Sequence, residues 1–365
     1  MVEHNNHFGK KKIAILIEYN VEDTEFIVPY NGLKQAGMEV IVIGSRMNEK
    51  YKGKRGKLTI QPDATTTEAV VSEFDAVIIP GGMAPDKMRR NSNTVRFVQA
   101  AMQQGKWVAA ICHGPQVLIE GDLLQGKQAT GFIAIRKDII NAGANYLDEP
   151  LVIDGNLITS REPGDLAIFT KAILNRLGYG GKDAGLPDEK DSNAEWWKLA
   201  DAWGGSTKSE IVRGLNTALA NEHYSLEALE NYQKKETDAN IKSLFQEMIS
   251  TKQRHIEKLE NYLQRLNEKP SLVTNIANQY AKIKTALTGS DDIFQLRCAL
   301  GDVQTGIGDF SNLSAMFTDP VATAIFKEIY NDLLKDEQRL IELYRTKIAV
   351  GIQPPKPTTG AALIM

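Results

Sequence analysis

The stretch Val108-Ala109-Ala110-Ile111-Cys112-His113-Gly114-Pro115 decides the fold. Its apolar residues, 108–111, end abruptly in a thiol, an imidazole, a glycine and a proline. The run is too short for a helix and reads as a buried strand. Gly114 and Pro115 break it, and Gln116-Val117-Leu118-Ile119 opens a helix with Pro115 suited to the first turn. A strand-to-helix corner with Cys112 at its tip has the architecture of a nucleophile elbow. The amide dipoles of the following helix favour a thiolate, which is the reactive form. A buried, inert cysteine is the competing reading. The adjacent His113, the glycine and the strand-turn-helix setting weigh against it.

Working outward, Ile13-Ala14-Ile15-Leu16-Ile17 and Val40-Ile41-Val42-Ile43-Gly44 are continuous apolar runs, so strands buried on both faces. They bracket one helical stretch, 21–37, which makes a βαβ unit and a parallel sheet. Pro29 inside that stretch predicts a kink or a delayed start. Residues 45–65 are polar and rich in Lys and Gly, and the alternation at Leu58 and Ile60 reads as a small hairpin. Ala76-Val77-Ile78-Ile79-Pro80-Gly81-Gly82 is a third strand that ends in two glycines, and the run before Cys112 is the fourth. Helices are expected over 94–105, 135–142 and 165–177, a short strand at 127–131, and a strand pair over 151–160 around Asp154-Gly155-Asn156. The fold class is an open, doubly wound α/β sheet of the flavodoxin-like kind. Such sheets place ligands at the carboxyl ends of their strands. Three ends carry chemistry: Glu22 and Glu25 after the first strand, Gly81-Gly82 after the third, and Cys112-His113 after the fourth.

With 365 residues and 42% hydrophobic content, the chain is long enough for two domains with real cores. A net charge of -3 argues against nucleic acid or an anionic membrane as partner. No apolar run approaches the ~20 residues of a membrane span. The N-terminus is polar, and the apolar run after its lysines is too short for a signal peptide. The two cysteines, Cys112 and Cys298, fall in different expected domains, which points to a reducing compartment and a cytoplasmic location.

Residues 12–178 closely resemble the PfpI/ThiJ superfamily, in its intracellular peptidase and deglycase branch. The resemblance rests on Glu22-Asp23-Thr24-Glu25, Pro80-Gly81-Gly82-Met83-Ala84-Pro85, Ala110-Ile111-Cys112-His113-Gly114-Pro115-Gln116, Ile139-Ile140-Asn141-Ala142-Gly143-Ala144 and Val152-Ile153-Asp154-Gly155-Asn156-Leu157-Ile158-Thr159-Ser160-Arg161. It implies a class I glutamine-amidotransferase-like fold, Cys112 as nucleophile and Glu25 as a buried glutamic acid beside it. Glu22, one helical turn earlier, is a further candidate for that role. A carboxyl that donates to a thiolate must be protonated, so burial should raise its pKa. Both acids also suit a helix N-terminus for electrostatic reasons alone. His113 is the only histidine of the first half outside the polar N-terminal tail, so any imidazole acid or base there is His113. Being adjacent in sequence, its ring is not expected to stack simply against Cys112. In PfpI-type members a carboxylate of a neighbouring subunit orients this histidine. Asp86 matches that position, where members often carry Glu, and it also reads as a surface cap of the following turn. Gly82 and the amide of His113 are the expected oxyanion donors. Phe132 stands where many members carry Tyr, so the hydroxyl is lost and the pocket is more apolar on that side.

Two functions follow as expectations. One is a cysteine-dependent hydrolase of acyl, amide or carbonyl adducts, with a small-molecule or peptide substrate, no cofactor and a homo-oligomeric assembly. The other is a stress- or redox-sensing protein in which Cys112 oxidises to the sulfinate beside a protonated Glu25.

Gly178-Tyr179-Gly180-Gly181-Lys182-Asp183-Ala184-Gly185-Leu186-Pro187 opens a linker, 179–208. Trp196, Trp197, Ala200 and Trp203 in it have helical spacing, and a short helix packing between the domains is expected rather than a stacking site. Residues 209–349 show helical periodicity over 210–235, 238–267, 291–317 and 321–349. Short turns at Glu236-Thr237 and Thr318-Asp319-Pro320 join the pairs, and a crossover, 269–290, carries its own helix around 276–287. This connectivity resembles a ferritin-like four-helix bundle, in outline only. Its di-metal motif is broken. Lys252 takes the Glu place of Lys252-Gln253-Arg254-His255, and Leu340 takes the His place of Glu337-Gln338-Arg339-Leu340. Glu222 and Asp302 are left as the lone carboxylates. A lysine repels a metal and a leucine cannot ligate one, so a metal-free bundle for oligomerisation or partner binding is expected. The Pro-rich tail, 350–365, is expected to be disordered.

Overall fold

Strand β7 (Trp107–Ile111) is hydrogen-bonded on both sides to parallel neighbours, β6 (Ala76–Ile79) and β11 (Leu157–Ser160). That position accounts for its composition. Val108, Ala109, Ala110 and Ile111 are all fully buried, because a parallel strand covered on both faces has no polar side. The computed structural model describes residues 11–179, 186–189, 191, 194–271 and 292–347. The chain divides into two compact units, Met1–Thr207 and Lys208–Met365.

The first unit is built on a seven-stranded sheet. Along it lie β10 (Leu151–Asp154), β11, β7, β6, β1 (Lys12–Leu16), β2 (Glu39–Gly44) and β5 (Ala64–Thr65). Only β10 runs antiparallel, paired to β11 around the expected turn. From β1 the chain steps outward to β2, then returns to place β6 on the other side of β1. This is a topological switch point, and the carboxyl ends of β1 and β6 open a crevice there. Residues 22–25, 80–82 and 112–113 all follow strands at that edge.

Helix α1 (Asp23–Gln35) starts before Pro29 and runs through it, so the expected delay is absent. The proline leaves the Glu25 carbonyl without an amide donor, and burial of Phe26, Val28 and Leu33 offsets that loss. The expected hairpin is β3 (Tyr51–Lys52) against β4 (Thr59–Ile60). Asp23 ties it down, accepting from the Arg55 and Leu58 amides at 2.7 Å each. The two-residue strands β8 (Gln128–Ala129) and β9 (Asn145–Tyr146) pair outside the main sheet. Helices α2 (Ala84–Met88), α3 (Ser92–Gln103), α4 (Pro115–Glu120), α5 (Arg136–Asn141) and α6 (Leu166–Arg176) complete the α/β layers.

Helix α7 (Trp196–Ala202) lies in the same unit. Trp196 and Ala200 pack on Ala167 of α6, and the Trp203 carbonyl accepts from Asn31 of α1 at 3.0 Å. All four tryptophans of the chain, 107, 196, 197 and 203, belong to this unit.

The second unit is helical: α8 (Lys208–Lys235), α9 (Ala239–Arg265), α10 (Asp292–Ser314) and α11 (Pro320–Lys347). Asp238 caps α9 by accepting from the Asn240 and Ile241 amides. Leu215, Leu219, Phe245, Met248, Leu259, Phe326 and Ile329 are buried along the facing sides. Most of the crossover, with its helix around 276–287, lies outside the described residues, as does the tail. No helix among the described residues is long and apolar enough to cross a membrane.

Candidate active site

Cys112 leaves β7 with φ +60°, a left-handed conformation that side chains other than glycine rarely adopt. Its surroundings hold it there. The Cys112 amide donates to the Ser160 carbonyl at 3.1 Å, and the Phe132 amide donates to the Cys112 carbonyl at 2.9 Å. The Gly114 amide closes the turn on the Ile111 carbonyl at 2.7 Å, and Pro115 begins α4. This reversal brings adjacent side chains to one side. His113 Nδ1 therefore sits 3.3 Å from Cys112 Sγ. The ring meets the sulfur through its nitrogen edge and does not stack on it. The far side of the imidazole faces the Phe132 ring, with centroids 5.0 Å apart and planes tilted 30°.

The two glycines after β6 form the opposite wall. A Cβ on Gly81 would come within 2.6 Å of Glu25 Oε2 and 2.8 Å of Cys112 Cβ. Gly82 has φ +72°, and a Cβ there would meet the Glu22 nitrogen at 2.4 Å. Only glycine fits both positions. The Gly81 amide donates to Glu25 Oε2 at 2.7 Å, while Oε1 is buried without a conventional hydrogen-bond partner.

Burial pushes the Glu25 carboxyl from its ordinary 4.5 up to about 8, and the charge of Glu22 adds to the rise. Contacts with Cys112 and Gly81 oppose it without prevailing. Glu25 is thus an acid at neutral pH, able to donate to sulfur. Burial also pushes the Cys112 thiol well up, an ionised Glu25 beside it would add to the rise where a protonated one does not, and the amides of Gly82 and His113 pull it part of the way back. Burial lowers the pKa of His113, and the charge of Lys54 lowers it further, so a neutral imidazole faces a resting thiol.

Glu22 does not share the sulfur contact. It pairs with Arg55 at 2.7 Å and Lys54 at 3.6 Å, both on the β3–β4 hairpin, and acts on Glu25 through its charge. Asp86 is exposed in the first turn of α2 and pairs with Arg89 at 2.8 Å. The structure therefore gathers Cys112, His113, Glu25, Gly82 and Phe132 at one corner and gives Asp86 a surface partner. Lys54 and Arg55 escaped the sequence reading. Their only signal was the basic, glycine-bearing hairpin loop.

The Glu25→Gln variant is expected to be more stable than the native chain. Between pH 4.5 and about 8 the native state holds a proton that the unfolded state has lost, so native stability falls as pH rises across that window. Glutamine carries no such penalty and can still accept from Gly81. The gain should be ~3 kcal/mol at pH 7 and widen by ~1.4 kcal/mol per pH unit. Denaturant unfolding of both proteins from pH 5.5 to 8 reads it, and a gap that does not change with pH contradicts a buried, protonated Glu25.

In the second unit, Glu222 of α8 is fully buried. Its oxygens accept from Lys252 Nζ at 2.8 Å and meet His255 Nδ1 at 2.9 Å, both on α9. Burial pushes Glu222 up, but the Lys252 charge and the His255 contact prevail and hold it below its ordinary value. Asp302 accepts from the Tyr232 hydroxyl at 2.8 Å. On α11, Asp336 turns inward with Leu333 and Leu340, whereas Glu337 accepts from Gln304 at 2.9 Å. The inward acid is thus one residue from the expected Glu337. Burial raises Asp336 to about 6. These residues do not fit a ferritin-type pair of metals. Both oxygens of Glu222 are engaged by Lys252 and His255, and Leu340 offers no ligand.

A doubly wound sheet with a strained cysteine at its switch-point edge defines a class of α/β proteins, and comparison with known proteins narrows it. The DJ-1/PfpI family model matches residues 11–176. Protein/nucleic acid deglycase 2 of Escherichia coli is 41% identical over 169 residues, which are 46% of this chain and 98% of that protein. Deglycase PfpI of Pyrococcus furiosus is 42% identical over 166 residues, 46% of this chain and 99% of that protein. A crystal structure of a two-domain protein from Anabaena variabilis, containing DJ-1/ThiJ/PfpI-like and ferritin-like domains, is 78% identical. It superposes with a TM-score of 0.92, covering 96% of this chain and 100% of that one. The chain belongs to the DJ-1/PfpI family, and its second unit has the ferritin-like fold.

Proposed function

We propose that the chain is a Cys112-dependent hydrolase of carbonyl adducts on amines, with peptide bonds as a second substrate class. The observation that carries this reading is the neutral imidazole of His113 at 3.3 Å from the Cys112 sulfur. The sulfur attacks the carbonyl carbon of a peptide, or the amine-bearing carbinol carbon of an adduct, and passes its proton to His113 Nδ1. The amides of Gly82 and His113, already directed at the sulfur, take the developing oxyanion. Glu25, protonated, donates to the sulfur and favours its anionic form. His113 then protonates the departing amine; from a peptide this leaves the acyl group on Cys112 directly, from an adduct it does so after the carbinol hydrogen shifts as a proton to the neighbouring carbonyl carbon, and water releases the acyl group in both cases. The names of the deglycase relatives support the adduct class. Asp86, exposed beside Arg89, is the carboxylate that a second copy of the chain would bring to His113.

The test is the intact chain incubated with methylglyoxal-modified amino acids and with a fluorogenic peptide, followed by amine release and by intact-protein mass. Turnover with a transient adduct on Cys112 is expected. Release of amine from neither substrate class overturns the proposal. The buried acid beside the sulfur also favours the oxidisable-thiol reading, and the same mass measurement separates the two. Under mild peroxide, addition of two oxygens at Cys112 without turnover identifies a sensor.

A further inference from the structure

His255 of α9 is buried to 1% side-chain exposure, and its two ring nitrogens face different groups. Nδ1 meets Glu222 Oε2 at 2.9 Å. An ionised carboxylate only accepts, so Nδ1 carries the hydrogen. Nε2 points the other way and lies 3.2 Å from Asp332 Oδ2. The 3.2 Å contact needs a cation between nitrogen and oxygen, either a second ring proton or a metal ion. Glu328 stands one turn before Asp332 on α11, on the same side of the helix. One ligand atom from each of His255, Glu328 and Asp332 can be chosen so that all three lie within 4.8 Å of one another.

We propose that His255 Nε2, Asp332 and Glu328 form a binding site for a single zinc ion on the flank of the bundle. One imidazole nitrogen and two carboxylates leave a position for water, as in three-ligand zinc sites. Glu222 fixes the tautomer and the ring plane from behind, which is the carboxylate–histidine–metal arrangement. Lys252 in turn holds Glu222 at 2.8 Å, so the backing carboxylate is itself anchored. This site lies on the outward nitrogen of His255. It is distinct from a di-metal centre, which would need the Glu222 oxygens that Lys252 and His255 engage.

Three cations compete for the two carboxylates. Arg254 Nη2 and Lys335 Nζ reach Asp332 at 2.7 and 2.8 Å, and Lys258 Nζ reaches Glu328 at 2.6 Å. Their side chains are 50%, 72% and 43% exposed, so each can turn to solvent. Exposed pairs of this kind contribute little and part readily. They limit the affinity to the micromolar range without blocking the site.

The full chain, stripped with chelator, is titrated with zinc chloride by calorimetry, and with cobalt(II) by visible absorption. One ion per chain with a micromolar Kd is expected, and the melting temperature of the bundle should rise with zinc. His255→Ala leaves Glu222 partly unpaired and can unfold the bundle. The decisive variants are therefore Asp332→Asn and Glu328→Gln, on the partly exposed side. Each should weaken zinc by at least about tenfold, while Cys112→Ala should leave it unchanged. No zinc binding below 1 mM, or equal binding by native, Asp332→Asn and Glu328→Gln chains, overturns the proposal and leaves His255 bridged by a proton. The readout is independent of Cys112 turnover, so a failure here and a failure of the hydrolase reading are separately visible.

Discussion

Replacing Cys112 by alanine is expected to lower kcat/KM at least a thousandfold, ~4 kcal/mol of transition-state stabilisation. The reason is positional. In the proposed reaction His113 Nδ1 takes the proton of the Cys112 sulfur 3.3 Å away, and the Gly82 and His113 amides converge on the same atom. Without the sulfur these groups have no reacting centre to serve, and their effects vanish together rather than in part. Serine is a more instructive replacement than alanine. It preserves the left-handed corner and a hydroxyl near His113, but its oxygen ionises far less readily than sulfur. An equal loss in both variants shows that the anion matters and not merely the shape. Retention of native kcat/KM by Cys112→Ala, in a chain with unchanged circular dichroism, assigns the chemistry elsewhere.

Lys252→Met is the largest expected change in stability, a loss of about 3–5 kcal/mol. Methionine fits the apolar stem of the lysine, so packing is nearly kept and the effect is electrostatic. Glu222 keeps His255 but loses the ammonium whose charge is the largest influence holding its pKa down. The double variant Lys252→Met/Glu222→Gln removes the stranded charge while Gln can still meet His255. It should recover most of the loss, giving a coupling energy well above that of an exposed pair. Denaturant unfolding followed by helical circular dichroism measures it. Equal losses in the single and double variants would mean that packing, not charge, sets the cost.

The α/β half was legible because its central strands are buried on both faces. Such strands carry no polar residue to blur their limits, as in 13–17, 76–79 and 108–111. The two-residue strands β5 and β9 are too short to show any period. Cys112, Glu25 and Gly82 could be anticipated because strand ends deliver them to one edge. Lys54 and Arg55 arrive from a hairpin whose path no local pattern encodes. On α11 two apolar rows compete: Ile329, Leu333 and Leu340 against Tyr330, Leu334 and Ile341. The first row is buried and Leu334 is exposed. Sequence spacing alone does not choose between them, and the difference of one residue moves the inward acid from Glu337 to Asp336. The partners of His255 were hidden for the same reason, since Asp332 and Glu328 follow that register.

The placement of the tryptophans has a practical consequence. None of the four lies in the helical unit, so indole emission during melting reports the α/β half alone, while ellipticity at helical wavelengths is dominated by the bundle. One sample followed by both signals reveals whether the halves lose structure at one temperature or two. The two curves then divide every substitution discussed above by the half in which its energy resides.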